Sequence, residues 1–467
     1  MNKVIKYIGL TGAAATAACA CSDAKKAPKP NIIVIVADDL GWGDLSYHGS
    51  VIPTPNIDRI AREGIEMNRF YVAPVSSPTR CGIMTGRYPS RFGIRETVIP
   101  PWRDYGLDEN ERTMADVLGE NGYANRAMIG KWHLGHSRLR YYPLNRGFTH
   151  FYGCLNGALD YFTHLRENEL DWHNDWDSCW DEGYTTDLIA AEAARCIEEY
   201  TPGDPYFLYV CFNAPHAPNE APEDEIAKHI PLEEFAQLKK KDQKGYTYRA
   251  MVTRMDTGVG QIMDALEKSG ERNNTIVLFM SDNGSDPQQA PYGNSGELRG
   301  TKFEEWEGGV RADAAIWWPD GFQNGRKIEQ VTGFVDLLPT FADIIGVRKK
   351  PARPYDGISI YPVLKGKKDH IERDMYLGVG AGVNSQYKMI LAGKSERLGL
   401  KEDFITDIIA NPGEKNKLAG SDDQKAIDHL RKVIEEGDAI VPVHPEIPYG
   451  QGQKGFVAPK EWKLTEY

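Results

Sequence analysis

The sequence predicts an α/β fold, with a central mixed, mostly parallel sheet flanked by helices and a smaller C-terminal α+β subdomain. Three observations lead there. Continuous apolar, β-branched runs recur along the chain, as strands buried on both faces require. Amphipathic helical stripes alternate with them. The length, 467 residues, exceeds what one ordinary core organises and asks for a large unit plus a smaller one. A composition of 41% hydrophobic, 10% aromatic and 26% charged residues supplies that core and excludes collagen, coiled coil and low complexity. The net charge of -12 argues against a nucleic-acid partner, while leaving room for a local basic pocket.

The first segment, "MNKVIKYIGLTGAAATAACACSDAKK", combines two lysines, a short apolar run and small residues, and reads as a secretory signal over residues 1–20. Its end resembles a bacterial lipoprotein cleavage region, with Cys21 the first choice for acylation and Cys19 the second. The expectation is an exported protein of a Gram-negative bacterium, in the periplasm or at the cell surface, touching membrane only through that lipid. Five further cysteines, Cys81, Cys154, Cys179, Cys196 and Cys211, form an odd set without a C-x-x-C pair, and most of them read as buried thiols.

"NIIVIVADDLGWGD" opens the folded part as a buried strand that stops at Asp38 and Asp39. "PTPNIDRIAREG" follows as a helix, with Pro55 near its start and Gly64 at its end. In "YVAPVSSPTRCGIMTGRYP", Pro78 suits the first turn of a helix, which puts Ser76 and Ser77 at its N-terminus. That end of a helix favours anions. "YANRAMIGKWHLG" runs from a strand into Lys131 and His133, "PYFLYVCFNAPHAP" through Asn213 to His216, and "NNTIVLFMSDNGSD" into Asp282 and Asn283. Four strands thus end in polar residues at their carboxyl ends, the edge where open α/β sheets bind ligands.

"YRAMVTRMDTGVGQIMDALEKSG" carries a helical apolar stripe closed by Gly270 and is assigned to the core. After "DLLPTFADIIGV", the basic, proline-containing "RKKPARPYDG" marks a connection. The expected division is a catalytic domain over residues 30–348 and a C-terminal subdomain over 349–467.

Asp38, Asp39, Asp282 and Asn283 are hard oxygen donors, which favour Ca²⁺, with Mg²⁺ second, over zinc. Arg80, Lys131 and Lys302, with His133 and His216, could neutralise an oxyanion ester and protonate its leaving group. Sulfate and phosphate esters both suit that set.

Ser76-Ser77-Pro78-Thr79-Arg80 with "CGIMTGRYP" resembles the signature of the type I sulfatases, in the alkaline phosphatase superfamily. The likeness extends through "ADDLGWGD", "GKWHLG", "APHAP", "SDNG", "LRGTKFEEWEGGVRADAAIWWP" and "DLLPT". It implies an alkaline-phosphatase-like sheet and conversion of Ser76 to formylglycine by a maturase, since the serine form is similar to that of certain bacterial members. It also implies that Asp38, Asp39, Asp282, Asn283 and the residue at 76 hold one calcium ion. Arg80 and Lys131 would hold the modified residue and its sulfate, His133 would assist deprotonation of the hydrate, Lys302 would hold sulfate, and His216 would protonate the leaving oxygen.

Within that family, "RGFTHFYGCLNGALDYFTH" and the segment around the long helix look most like arylsulfatase B and related carrageenan sulfatases. The substrate this implies is a sulfated glycan, a glycosaminoglycan or algal galactan, cleaved at the 4-O-sulfate of N-acetylgalactosamine or galactose. A 6-O-sulfatase is the first alternative, and a phosphatase or phosphodiesterase of the same superfamily the second. In "LDYFTHLRENELDWHNDWDSCW", residues 159–180, Asp160, Tyr161, His164 and Trp172 are candidates for lining a sugar cleft, or else anchors of an irregular surface loop.

Overall fold

The computed structural model describes residues 28–289, 292–418 and 423–464, so the leader with Cys19 and Cys21 lies outside the described residues. No described helix is long and apolar enough to cross a membrane. Among the described residues ten strands form the main sheet: β1 (Asn31–Ala37), β2 (Ile65–Met67), β3 (Asn125–Lys131), β4 (His150–Cys154), β5 (His173–Asn174), β6 (Asp177–Ser178), β7 (Tyr206–Cys211), β8 (Thr275–Ser281), β9 (Ala314–Trp317) and β10 (Arg326–Ile328). They lie in the order β10, β2, β9, β8, β1, β7, β3, β4, β5, β6. The central five, β8 to β4, are parallel, while β9 and β5 flank them antiparallel. The sheet is therefore mixed and mostly parallel, as the apolar runs predict.

Period-two alternation in β1 explains the layers. Ile32, Val34 and Val36 pack with α2 (Ser76–Thr85), α3 (Met114–Glu120) and α6 (Leu337–Ile344). Ile33, Ile35 and Ala37 face the other way, onto α1 (Pro55–Glu63), α4 (Thr185–Glu199) and α5 (Lys240–Ser269). Both faces of "NIIVIVA" are thus covered, which is why the run has no polar alternation. Helix α5 begins well before its apolar stripe because its first residues, Lys240, Lys241 and Asp242 among them, face solvent and leave no periodic signal.

Four antiparallel strands, β11 (Met375–Gly378), β12 (Ala381–Val383), β13 (Tyr387–Ile390) and β14 (Phe404–Asp407), form a second sheet. Helix α7 (Gln424–Asp438) lays Ile427, Leu430 and Ile434 on its Tyr387, Met389 and Leu391. This small sheet is fastened to the large unit by charges withdrawn from water. Lys388 Nζ lies 3.0 Å from Glu307 and 3.1 Å from Glu414, all three buried. Arg69 donates to the carbonyls of Ser385 and Asn384, each at 2.6 Å, and Arg373 pairs with Asp336. The final segment returns across the large unit, where Trp102 Nε1 donates to the Tyr449 carbonyl at 2.8 Å.

A buried cation between two carboxylates makes a clear prediction. Burial already pushes Glu414 up to about 7, against the pull of Lys388. Replacing Lys388 with Met leaves Glu414 without its counter-charge and Glu307 with only Arg311, 3.6 Å away, an effect of about 3–5 kcal/mol. Denaturant unfolding of Lys388→Met should show that loss at pH 8 and a smaller one at pH 6. As pH falls, the folded state takes up a proton on a carboxyl whose folded pKa is raised, so the penalty shrinks.

Candidate active site

The site forms where the parallel strands end. Ala37 pairs with Ser281 across β1 and β8, so Asp38 and Asp282 emerge side by side. The Asp38 N–H donates to the Ala214 carbonyl at 3.0 Å and the Asp282 N–H to the Ala37 carbonyl at 3.1 Å, so both backbones stay pinned beyond the strands. Lys131, the last residue of β3, arrives from the same edge.

Helix α2 points its N-terminus at this edge. Ser76 is its first residue, and its Oγ donates to Asp282 Oδ2 at 2.6 Å and accepts from Arg80 Nε at 2.9 Å. Arg80 lies one turn along the helix, so the serine and its cation share a face. Ser77 instead ties the helix to its surroundings, its Oγ donating to the His133 carbonyl at 3.0 Å and accepting from the Ile99 N–H at 3.1 Å. Gly82 lets the helix sit close, since a Cβ there would lie 2.2 Å from the Phe334 ring. Pro78 falls in the first turn, as its missing N–H allows.

Three acidic and three basic side chains, all buried, pair one to one here. Arg80 Nη2 lies 2.9 Å from Asp282, Lys131 Nζ 2.5 Å from Asp38, and Lys302 Nζ 2.7 Å from Asp39. Arg80 Nη1 also donates to the Lys131 carbonyl at 2.9 Å. Asn283 Nδ2 donates to Asp39 Oδ1 at 2.7 Å, and His216 Nε2 stands 3.5 Å from Asp39 Oδ2. His133 Nδ1 is 3.4 Å from Ser76 Oγ. The structure thus brings together Asp38, Asp39, Ser76, Arg80, Lys131, His133, His216, Asp282, Asn283 and Lys302.

Electrostatics sort these groups. Burial drives Asp38 up to about 8 despite Lys131, and drives Lys131 down despite Asp38. Burial also acts on Asp39, but Lys302 outweighs it and holds the carboxyl below its usual range. In Asp282, Arg80 and Lys131 likewise overcome burial. His133 is pushed well down by burial and then by Lys131 and Arg80, and burial takes His216 down to about 3. Both imidazoles are therefore neutral at pH 7.

The donor set fits a hard divalent cation. Asp38 Oδ1 and Asn283 Oδ1 are buried acceptors without a hydrogen-bond partner among the described residues, a costly arrangement unless something else satisfies them. Asp38, Asp39 and His216 each place a ligand atom within 4.8 Å of the others. Asp39, His133 and Phe303 hold left-handed backbone, with φ of 67°, 56° and 76°. Such strain in non-glycine residues gathers where a site dictates geometry.

Above the charges lies a cleft of about 450 Å³ reached by Ser76, Lys131, His133, His216 and Lys302. Its outer walls include Glu96, Arg166, Asp286, Phe303, Arg397 and Tyr449, none of which sequence reasoning singled out. Phe303 and Asp286 adjoin motif residues, which was the available signal. Arg397 and Tyr449 arrive by long-range packing and left none. Asp160, Tyr161, His164 and Trp172 do not line this cleft. Tyr161, His164 and Trp172 are buried, the His164 and Trp172 rings 4.9 Å apart, because apolar rings in this segment pack inward. Tyr161 still serves the site: its hydroxyl lies 2.6 Å from the Asn213 carbonyl and 2.8 Å from that of His216. Asp160 accepts from the N–H groups of Phe162 and Thr163, forming a turn.

Comparison with known proteins agrees with this geometry. Residues 30–347 match the sulfatase family pattern. The chain belongs to the sulfatase family. As a sulfatase it is a sulfuric ester hydrolase on an alkaline-phosphatase-like fold. N-acetylgalactosamine-6-sulfatase of Homo sapiens is 31% identical over 479 residues, covering 91% of this chain and 89% of the human protein. Arylsulfatase J of Mus musculus is 31% identical over 72% of this chain, which spans 56% of the mouse protein. Among solved structures, Ps i-CgsB in complex with k-i-k-neocarrahexaose superposes with a TM-score of 0.75 at 29% identity, over 88% of this sulfatase and 92% of that chain.

The pairing in this sulfatase predicts that Asp282→Asn, which strands a fully buried Arg80, lowers stability by about 3–5 kcal/mol. Denaturant unfolding read by circular dichroism measures it. A loss under about 1 kcal/mol would mean that Arg80 finds another partner.

Proposed function

We propose that this chain is an exported, calcium-dependent, formylglycine sulfatase that removes a 4-O-sulfate from N-acetylgalactosamine or galactose in a sulfated glycan. The observation carrying the mechanism is the placement of Ser76 Oγ, held by Arg80 and Asp282 within reach of His133. Oxidised by a maturase and hydrated, the residue at 76 supplies two hydroxyls, one to attack sulfur and one whose proton loss expels sulfate and restores the aldehyde. An unmodified serine lacks the second hydroxyl.

Asp38, Asp39, Asp282, Asn283 and the residue at 76 would hold the cation, whose chemistry is to polarise the nucleophile and the sulfate oxygens. Because the protein's own charges balance one to one, that cation would add a positive surplus that favours an anionic ester. Lys131 and Lys302 hold the sulfate oxygens, with Arg80 beside them. His133, neutral and 3.4 Å from Ser76 Oγ, accepts the hydrate proton. His216 stands at the mouth and gives its proton to the departing sugar oxygen. Asp39, 3.5 Å away, is the carboxylate that would favour the protonated form of that imidazole.

The glycan assignment is supported by relatives whose names carry galactosamine and by the structure bound to k-i-k-neocarrahexaose. A 6-O position is the second reading, favoured by several relatives named N-acetylgalactosamine-6-sulfatase. Export and anchoring through Cys21 or Cys19 rest on the leader, and the division near residue 348 on the connection that follows the last core helix.

Matured enzyme should release sulfate from 4-sulfated galactosamine or galactose oligosaccharides, and the rate should collapse on calcium chelation. His216→Ala should reduce kcat by about 10²–10⁴-fold, the usual contribution of a general acid. Preferential release from 6-sulfated sugars would replace the 4-O assignment. Calcium should also raise the melting temperature, by stabilisation of about 2.7 kcal/mol at one hundred times its Kd. Asn283→Leu should weaken that response.

A further inference from the structure

The outer cleft contains a cation that the catalytic set does not use. At the floor, Arg80, Lys131 and Lys302 are each committed to a carboxylate. Arg397, from the C-terminal region, lines the same cavity and is exposed to solvent. Among the described residues it has no ion-pair partner. Its guanidinium carbon lies 4.4 Å from the centroid of the Phe303 ring. Glu96, on the same wall, is paired with Arg95 at 2.5 Å and does not neutralise it.

Phe303 is built to hold that position. It follows Lys302 directly, adopts a φ of 76°, and its N–H donates to the Pro74 carbonyl at 2.8 Å. A bulky residue in left-handed backbone persists only where the surroundings enforce it. The result is an aromatic platform beside the lysine at the cleft floor, and a guanidinium resting on such a face keeps its donor edge free for an anion. Tyr449 lines the cavity too, 47% exposed, its ring 5.2 Å from Trp102 in an edge-on contact. An exposed aromatic face of this kind suits the apolar face of a sugar. Arg166, also in the lining, has a buried Nε without a hydrogen-bond partner among the described residues.

We infer that Arg397 on Phe303, with Tyr449 beside it, forms a subsite that reads a negative charge on the sugar next to the one losing its sulfate. The ligand is an oxyanion on that neighbour, either a uronic carboxylate or a second sulfate ester. The inference rests on the sulfatase reading above and adds that the C-terminal region selects the substrate.

The test compares matured enzyme with Arg397→Gln and Arg397→Lys on three disaccharides. All carry the same cleavable sulfate, and the neighbouring sugar is a uronic acid, a sulfated sugar or an uncharged one. For Arg397→Gln, kcat/KM on an anionic-neighbour substrate, relative to the uncharged one, should fall about 10–100-fold through KM, as loss of a charge-assisted contact implies. Arg397→Lys should recover part of it. Whichever anionic substrate suffers identifies the carboxylate or the sulfate as the group read. A ratio unchanged for both would overturn the subsite alone. Failure of unsubstituted matured enzyme on every sulfate ester, a simple aryl sulfate included, would overturn the activity and the subsite together.

Discussion

Everything at this sheet edge depends on burying six ionisable side chains together. Asp38, Asp39 and Asp282 could not be withdrawn from water alone, and neither could Arg80, Lys131 or Lys302. Paired one to one, they are held by elements from across the chain: two strand ends supply the acids, another supplies Lys131, and a helix supplies Arg80. Parallel β1, β3 and β8 must therefore end at the same level. That requirement ties the topology of the sheet to the chemistry at its rim, and it places Ser76 where a helix N-terminus and a guanidinium meet.

The same charges explain what was legible in the sequence. Strands whose two faces are both buried have no polar positions until they end, so Asp38, Lys131 and Asp282 stand out as the first charged residues after apolar runs. His216 is legible as the polar end of the run "PYFLYVCFNAPHAP", and Lys302 through "LRGTK". The segment 159–180 misled because its aromatic residues say only that rings are present. Whether rings face a cleft or a core is decided by neighbours far away, and here Tyr161, His164 and Trp172 turn inward. The segment acts indirectly, through the Tyr161 hydroxyl against the turn that carries His216.

The C-terminal region was the least legible, for a related reason. Its short strands carry weak periodicity, and its importance lies in contacts with residues far away along the chain. Lys388 gives no hint that it is buried between Glu307 and Glu414. Arg397, in "GKSERLGL", looks like any surface arginine until Phe303 is found beneath it. Catalysis and recognition can share one cleft in this way, with the floor set by the strand ends and the rim by a separate small sheet and the chain that follows it.

The central claim is that Ser76 works as formylglycine. The most direct measurement is the mass of the tryptic peptide Phe70–Arg80 from catalytically active protein. The account predicts a peptide lighter by two hydrogen atoms than its encoded sequence, in a fraction that tracks specific activity. Full activity in protein whose peptide carries only unmodified serine would contradict it.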